Sequence, residues 1–259
     1  MVGSYPENCH KEEFFMEKSE YKKTRIETEK RLMNSGKYCE VFPVSSGMFI
    51  VTKNGKYGAC NLHGKETVPC IYEEMSDFYP YSYTRVSTVR IKVNGKIKEG
   101  LIDRKGIYIV PPIMDEIGNV PYQKNCPYIS GKVNNLWGVI NRNTSEVVIP
   151  FVHKDEIKGF AKAKDTYIAA TCKWVVDGSD EDGNARYSER YGFIRVDGKV
   201  LAEPKFYDIS AFHQLGYAVV YLEEEGKIKK QFIDVEGHLH GLSDIDKNKI
   251  LEMQKWTYL

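Results

Sequence analysis

The amino-acid sequence predicts an all-β fold: a tandem array of β-hairpin repeats with a short helix at each end. Three observations support this prediction. A short motif recurs five times, turn dipeptides typical of hairpins precede most copies, and the copies lie about 40 residues apart, as in repeat proteins. In the motif, an aromatic residue and a glycine are followed by two apolar residues, an Asn or Asp, and a closing glycine. The five copies begin at Tyr57, Glu99, Trp137, Tyr191 and Lys230.

Each repeat is predicted to contain about three short strands. Asn54-Gly55 and Asn94-Gly95 are dipeptides of type I′ hairpin turns, in which both central residues have positive φ. Asn134-Asn135 and Glu225-Gly226 take the same place in later copies, although they suit the turn less well. The strand after the motif runs into a proline, as at Val68-Pro69. Proline belongs at a strand end or an exposed edge because it has no backbone donor.

The glycine that follows the aromatic residue is predicted to allow a close approach. A Cβ atom at this position would hold apart two backbones, or a backbone and a stacked aromatic ring. The rings of Tyr57, Trp137 and Tyr191 would then cover the glycine of the neighbouring copy. We expect Gly138→Val to destabilise the fold by more than the difference in strand propensity.

Helices are predicted to flank the array, which spans residues 38–242. Residues 1–37 form an N-terminal segment in which a charged helix covers 10–34. Residues 243–259 are predicted to form a second helix. Both helices would cap the array, because terminal repeats otherwise expose an apolar face. Docking onto another molecule is the alternative role for each.

The composition excludes several classes of function. With 37 basic and 36 acidic residues, the formal charge is +1, so the chain lacks the basic field that a general nucleic-acid-binding protein needs. No stretch approaches the ~20 apolar residues of a membrane span. The N-terminal segment has no apolar signal-peptide core. The six cysteines show no C-x-x-C pairing and no partner histidines at metal-binding spacing. We expect a cytoplasmic protein with reduced thiols, without a membrane segment and without general nucleic-acid binding.

The most regular copies follow the order Gly-Lys-aromatic-Gly-x-Ile-Asx-x-x-Gly-Lys-x-x-x-x-Pro-x-aromatic-Asp. This order resembles the WG-repeat proteins, also called KWG-repeat proteins, most closely at residues 55–74 and 191–208, and residues 136–150 keep the Trp-Gly pair. The resemblance covers about 38–242. It implies a bacterial, β-rich module for interaction or ligand binding, and it brings no catalytic residues. Three positions depart from the motif: Glu99, Thr144 and Gln231.

Two shapes are compatible with such repeats. An open, curved solenoid of hairpins is the first expectation. A closed, propeller-like ring of five blades is the alternative, because about 40 residues per unit also suit a blade. The longer step before the fourth copy marks an insertion of about a dozen residues within 173–189. Insertions in repeats form loops on one face, which is often the binding face.

The candidate binding site is a ladder of tyrosines and carboxylates that follow the prolines. Each repeat would contribute one aromatic residue and one or two acids to the ladder. Such a row suits a cationic or sugar-like ligand or a basic peptide. The alternative is that the carboxylates cap turns between repeats. The candidate binding residues are Tyr72, Glu74, Asp115, Glu116, Tyr207 and Asp208.

The insertion at 173–189 contains the candidate metal site. On the template of an EF-hand loop, Asp180, Asp182 and Glu189 fall on positions three, five and twelve, which supply oxygen ligands for Ca²⁺. Gly178 occupies the first position, where the template has Asp, and the flanking segments have the pattern of strands. A solvated acidic hairpin tip is therefore favoured over a calcium site.

No motif of an enzyme active site occurs in the sequence. It has no G-x-S-x-G elbow, no phosphate-binding glycine loop and no H-E-x-x-H motif. We expect a non-enzymatic scaffold, without a cofactor, that binds a protein or peptide partner along the repeat surface. The alternative is a small-molecule-responsive or metal-responsive sensor that uses the acidic insertion or the ladder. The oligomeric state does not follow from the sequence.

Overall fold

The fold is all-β, which confirms the predicted class. The structure, a computed structural model, describes residues 17–44, 46–78, 86–118, 126–246 and 248–249. Within these residues, twenty strands form five four-stranded antiparallel sheets, and the strands of each sheet lie side by side in chain order.

Each sheet consists of four consecutive strands of the chain. The first sheet contains β1 (Glu40–Pro43), β2 (Phe49–Lys53), β3 (Lys56–Cys60) and β4 (Glu66–Tyr72). The second contains β5 (Glu74–Met75), β6 (Ser87–Val93), β7 (Lys96–Ile102) and β8 (Tyr108–Met114). The third contains β9 (Glu116–Ile117), β10 (Tyr128–Val133), β11 (Leu136–Asn141) and β12 (Val147–His153). The fourth contains β13 (Glu156–Ala163), β14 (Thr166–Ser179), β15 (Ala185–Arg195) and β16 (Val200–Phe206). The fifth contains β17 (Asp208–Ile209), β18 (Tyr217–Glu224), β19 (Lys227–Asp234) and β20 (Leu239–His240).

Each sheet has one strand more than the predicted repeat. In the second, third, fourth and fifth sheets, the additional strand is formed by the segment that follows the preceding repeat's last long strand, and in β5, β9 and β17 it is only two residues long. In the first sheet it is β1, which follows the N-terminal helix. Periodicity over two residues is too short to predict a strand. The chain passes from β4 to β5, from β8 to β9 and from β16 to β17 across a single residue, which is Glu73, Asp115 or Tyr207.

The chain divides into two compact units, Met1–Tyr108 and Ile109–Leu259. In the first unit, one core joins the first two sheets, with Met48, Ala59, Val68, Tyr72, Phe78, Val89 and Ile102 buried together. In the second unit, one core joins the third and fourth sheets through Trp137, Val139, Ile149, Ile157, Phe160, Ala169 and Ile194, together with Cys126. Another joins the fourth and fifth sheets through residues such as Phe193, Phe206, Val220 and Ile233. The choice between an open solenoid and a closed ring stays a prediction.

The N-terminal helix, α1 (Lys18–Asn34), lies within the predicted helix. Its Leu32 packs with Val41, Phe49 and Val51, so the helix covers the apolar face of the first sheet. Residues 10–16 of the predicted helix, and residues 247 and 250–259 of the predicted C-terminal helix, lie outside the described residues. In the part of the chain that is described, no helix is both long enough and apolar enough to cross a membrane.

The hairpin turns have the geometry that their sequences predict. Asn54 and Gly55 have φ values of 53° and 71°, and Asn94 and Gly95 have values of 49° and 81°. Positive φ at both central residues defines the type I′ turn. Asn134-Asn135 and Glu225-Gly226 also have positive φ at both positions, so the less regular dipeptides form turns of the same hand.

The Asn or Asp of the motif closes the turn between the third and fourth strands. The Oδ1 atom of Asn61 accepts hydrogen bonds from the backbone N–H groups of His63 (3.1 Å) and Lys65 (3.0 Å). Asp103 and Asp234 accept the equivalent pairs of bonds. The side chain therefore acts as an Asx turn. The closing glycine follows it with positive φ, as in Gly64 at 75°.

Asp234 is expected to give the fold a stability term that depends on pH. Burial opposes its ionisation, but hydrogen bonds from His240 and from the backbone N–H groups of His238 and Glu236 outweigh burial and lower the pKa of Asp234 to about 2. A carboxyl whose pKa is lowered in the folded state stabilises that state above its unfolded pKa and loses the effect as the pH falls through the folded pKa. We expect about 2 kcal/mol of unfolding free energy to be lost between about pH 5 and about pH 2 through this group.

The matched variant is Asp234→Asn. An asparagine keeps the Oδ1 acceptor of the turn, as Asn61 does, but it cannot titrate. Urea unfolding across this pH range should show a shallower decline for the variant than for the wild-type protein. Parallel declines would show that Asp234 does not contribute the term.

In the first and fourth repeats, the glycine and the proline form one feature. Between the pairs Tyr191–Phe206 and Phe193–Ala202, the single residue Gly192 of β15 lies opposite three residues of β16, so the proline strand bulges over Gly192. The same shift occurs between Tyr57–Tyr72 and Ala59–Val68 in the first sheet. A Cβ atom on Gly58 would lie 2.6 Å from the Val68 carbonyl oxygen. The close approach of two backbones is therefore confirmed, but the neighbouring strand that causes it belongs to the same sheet.

Candidate functional site

The two ladder residues of the first unit are already paired within it. Tyr72 is buried, and its hydroxyl donates a hydrogen bond to the Tyr108 hydroxyl at 3.3 Å. The Glu74 carboxylate is exposed and lies 2.7 Å from Nη1 of Arg90 on the adjacent strand. Tyr72 therefore belongs to the core, and the exposed charge of Glu74 is balanced by its own sheet.

The ladder residues of the second unit also have partners nearby. Glu116 forms an ion pair with Lys132 at 2.9 Å. Asp115 accepts a hydrogen bond from the backbone N–H of Asn134 at 2.6 Å, and Asp208 accepts one from the N–H of Ile209 at 2.8 Å. The Tyr207 hydroxyl donates to Glu223 at 2.6 Å, and the guanidinium of Arg190 lies 3.7 Å from the centre of its ring. These contacts are those that the alternative interpretation expects, because the acids bond within turns and between paired strands.

A row of residues crosses each sheet at the level of the motif's aromatic residue. In the third sheet, the Lys132 ammonium pairs with Glu116 and also lies 4.8 Å from the centre of the Trp137 ring. In the second sheet, Glu99 replaces the aromatic residue and is almost completely buried. Arg90 joins it to Glu74, with Nε 2.8 Å from Glu99. The departure of Glu99 from the motif is therefore matched by an arginine on the neighbouring strand.

The structure does not bring the three candidate metal ligands together. The Asp180 carboxylate accepts bonds from the N–H groups of Asp182 (3.0 Å) and Asn184 (2.7 Å) and thereby caps its own turn. Glu189 lies opposite Trp174 and is four residues from Ala185, the first residue of β15 after the tip. Four residues span about 13 Å along a strand. Glu189 accepts a hydrogen bond from the Tyr191 hydroxyl. Among the described residues, no group of three or more His, Cys, Asp or Glu side chains could hold a metal ion.

The insertion extends the central hairpin of the fourth sheet. Strand β13 pairs with β14 as far as Cys172, and β16 pairs with β15 as far as Tyr191. Beyond these residues, β14 and β15 pair only with each other. We call this two-stranded segment, residues 173–190, the ribbon. Among the described residues, the other sheets have only shorter two-stranded ends, such as the three pairs that extend the fifth sheet beyond Tyr221.

One face of the ribbon is apolar and exposed. Trp174 and Val176 are two residues apart, and Tyr187 lies opposite Val176. Alternate residues of a strand share a face, as do residues directly opposite each other on paired strands. The three side chains therefore stand together, and they are 63%, 62% and 60% exposed. Three large apolar side chains are therefore exposed together on one face of a projecting hairpin.

The other face of the ribbon is polar and internally bonded. Asp177 accepts a hydrogen bond from the Ser188 hydroxyl (2.8 Å) and pairs with Arg190 at 3.1 Å. The hydrogen bond from Ser188 is the main reason that the pKa of Asp177 is lowered. Because Arg190 also lies over the Tyr207 ring, this network fixes the base of the ribbon to the rest of the second unit.

A second cluster holds the base of the ribbon on its apolar face. The Lys158 ammonium lies 3.5 Å from both Glu156 and Glu189 and 5.7 Å from the centre of the Tyr191 ring. The hydrogen bond from the Tyr191 hydroxyl to Glu189, together with the burial of Tyr191, raises the pKa of Tyr191 to about 12. Burial raises the pKa of the neighbouring Cys172 thiol to about 11. The tyrosine and the thiol are therefore neutral at physiological pH, and the ribbon starts from a packed base.

Five four-stranded antiparallel sheets, each built around a copy of the same motif, define a β-repeat protein. A family model described as WG containing repeat matches residues 35–57, 57–88 and 191–225. The resemblance to WG repeats is thus confirmed over these three stretches, which include the first and fourth copies of the motif. No curated protein matches the chain.

Solved structures with some similarity include the acylaminoacyl peptidase of Pyrococcus horikoshii, at 14% identity and a TM-score of 0.33. The match covers 77% of this chain and 37% of the peptidase chain. A eukaryotic initiation factor is matched at 8% identity and a TM-score of 0.33, over 79% of this chain and 75% of that one. The chain therefore spans little more than a third of the peptidase.

The sequence did not single out Trp174, Val176 and Tyr187 as binding residues. A signal was nevertheless present, because Trp174 and Val176 alternate within a segment that the other copies lack. An inserted strand with no further strand or sheet to cover it leaves such residues exposed. The candidate site is therefore the apolar face of the ribbon, and the binding role of the ladder residues stays a prediction.

Proposed function

We propose that the chain is a non-catalytic β-repeat scaffold that binds a protein or peptide partner through the apolar face of the ribbon. The observation that carries the proposal is the exposure of Trp174, Val176 and Tyr187 on one face of a hairpin that is fixed at its base. Aromatic residues on a rigid support are frequent anchors of protein interfaces, since they bury a large area at a small cost in conformational entropy.

The chemistry of the thiols supports a role without catalysis. Burial raises the pKa of Cys60, Cys70, Cys126 and Cys172. A thiolate is the reactive form of cysteine, so these groups are poor nucleophiles near neutral pH. The free thiols also suit a reducing compartment. We therefore place the scaffold in the cytoplasm, and in a bacterium, as the resemblance to WG repeats implies.

Site-specific photocrosslinking tests the proposed surface. The photoreactive residue benzoylphenylalanine replaces Tyr187 in the full chain, which is then expressed in the source organism. We expect irradiation to give a discrete adduct with one partner. The same replacement at Ile228, which is 53% exposed on β19, is the matched control and should give none. Adding Trp174→Ser to the Tyr187 probe should lower the adduct yield at least tenfold while the melting temperature stays unchanged.

Two results would contradict the proposal. Equal crosslinking yields from positions 187 and 228 would show that the ribbon binds partners no better than another exposed part of the surface. If neither position gave an adduct, the proposed protein or peptide partner would be contradicted. The sensor alternative would then be tested by a thermal-shift screen with metals, nucleotides and sugars, since a ligand of the native state raises its melting temperature.

A further inference from the structure

One edge of the ribbon presents backbone groups that no described strand pairs with. The N–H of Val196 donates to the carbonyl of Tyr167 at 3.0 Å, which places Tyr167 and Val196 in a hydrogen-bonded pair. Such pairs alternate along an antiparallel ladder with pairs whose backbone groups point outward. Along β14, the outward residues therefore include Cys172, Trp174 and Val176. Cys172 is met by Glu156 of β13, and beyond it the edge is open.

The opposite edge of the ribbon is less accessible to a strand. There the outward residues are Tyr187 and Glu189, by the same alternation. The Glu189 carbonyl already accepts a hydrogen bond from Nη1 of Arg190 at 3.0 Å. The open edge is thus the one at Trp174 and Val176, whose side chains also belong to the apolar face. Unpaired edges of this kind are templates for an added strand.

Charge limits the class of strand that fits. Residues 177–186 at the tip contain four acids and one base, Arg186, whose Nε atom donates a hydrogen bond to the Asp177 carbonyl at 2.9 Å. Asp177 is paired with Arg190 and Asp180 caps the turn, but Glu181 and Asp182 are exposed. An incoming segment beside Trp174 and Val176 would extend past this acidic tip. Lysine or arginine side chains on the segment would complement the tip, and acidic ones would be repelled.

We propose that the ribbon adds an extended, basic peptide segment as a further strand along the edge at Trp174 and Val176. The proposal rests on the proposed function and names the chemistry of the partner. Alternate apolar side chains of the segment contact Trp174 and Val176. Its backbone pairs with their outward N–H and C=O groups, and its basic side chains lie by the acidic tip. Strand addition of this type takes affinity from the backbone and selectivity from alternate side chains.

The test uses two labelled eight-residue peptides, one alternating valine and lysine and the other alternating valine and glutamate. Fluorescence anisotropy with the full chain should show at least tenfold tighter binding of the lysine peptide. The Glu181→Gln/Asp182→Asn variant should lose most of this preference. Glu203→Gln, which neutralises an exposed acid on β16, is the control and should keep it.

Hydrogen exchange measured by NMR separates strand addition from contact by side chains alone. With the lysine peptide bound, the amides of Trp174 and Val176 should exchange at least tenfold more slowly than in the free protein. Val176→Pro removes one outward donor without touching the inner ladder. It should abolish peptide binding while the melting temperature changes little.

The outcomes distinguish this inference from the proposed function. If the Tyr187 probe captures a partner but the two peptides bind alike, or the two amides remain unprotected, strand addition of a basic segment is overturned and the ribbon remains a protein-binding surface. If the lysine peptide binds and protects the amides, the inference is supported whichever partner is captured. Tight binding of the glutamate peptide would overturn the charge argument directly.

Discussion

Gly192→Ala is expected to lower the free energy of unfolding by about 3 kcal/mol or more, at the upper end of overpacking effects. An added Cβ would lie 2.3 Å from the carbonyl oxygen of Ala202, 2.6 Å from Oγ1 of Thr171 and 2.8 Å from the carbonyl carbon of Glu203. Two of these atoms belong to the backbone of β16, which cannot rotate away as a side chain can. The strand would have to separate from β15, and the core between the fourth and fifth sheets would open. Urea unfolding measures the effect.

Gly226→Ala is the matched control for this variant. Gly226 has a φ of 72°, but no atom lies within 4 Å of the position that its Cβ would occupy. Its replacement should cost only the strain of positive φ, about 1 kcal/mol. If the two variants lose the same stability, the crowding of Gly192 by the proline strand is not what requires the glycine.

Arg90→Thr is expected to lower the free energy of unfolding by about 2 kcal/mol. The Glu99 side chain is only 6% exposed, and Arg90 supplies a hydrogen bond to it at 2.8 Å. Removing one partner leaves a carboxylate in a site with little water, which costs more than the ion pair contributes. The cost stays below that of a fully buried pair because Arg90 is itself 45% exposed. Thermal and urea unfolding of the full chain measure it.

The double variant Arg90→Thr/Glu99→Tyr provides the internal check. The first sheet carries Thr52 beside Tyr57 at the positions of Arg90 and Glu99. Restoring the aromatic residue of the motif should therefore recover most of the lost stability. A double variant that is no more stable than Arg90→Thr would show that the second sheet has no room for the aromatic ring, and that Glu99 is required there for its shape.

Local features of the repeat could be predicted from the sequence, because they depend on residues that are close along the chain. Asn54-Gly55 predicted its own turn type, and the glycine at position 58 predicted a close approach. The resemblance to WG repeats came from the same residues. The partner strand that crowds Gly58 could not be identified, since that requires the register between β3 and β4.

The candidate site was harder to predict because it depends on which side chains remain uncovered. Glu74 and Glu116 looked available in the sequence, yet Arg90 and Lys132 on adjacent strands pair with them. Trp174 looked like an ordinary strand residue and is exposed instead. Whether a charge is paired or an aromatic ring is covered is decided by the neighbouring strand, and a single sequence gives no direct record of strand neighbours.

The single-residue junctions between sheets have a consequence for how such a chain can be divided or lengthened. Glu73 joins the last strand of one sheet directly to the first strand of the next. The repeat in the sequence therefore does not coincide with a single sheet, because it ends with the first strand of the next sheet. A gene fragment cut at a sheet boundary would break the chain between two strands that only one residue separates. One cut within the loop between the first and second strands would leave each sheet to be completed by a strand from the adjoining fragment. Duplication of such a fragment would join a new sheet to the old one by shared strands, so a growing array would remain continuous at every step.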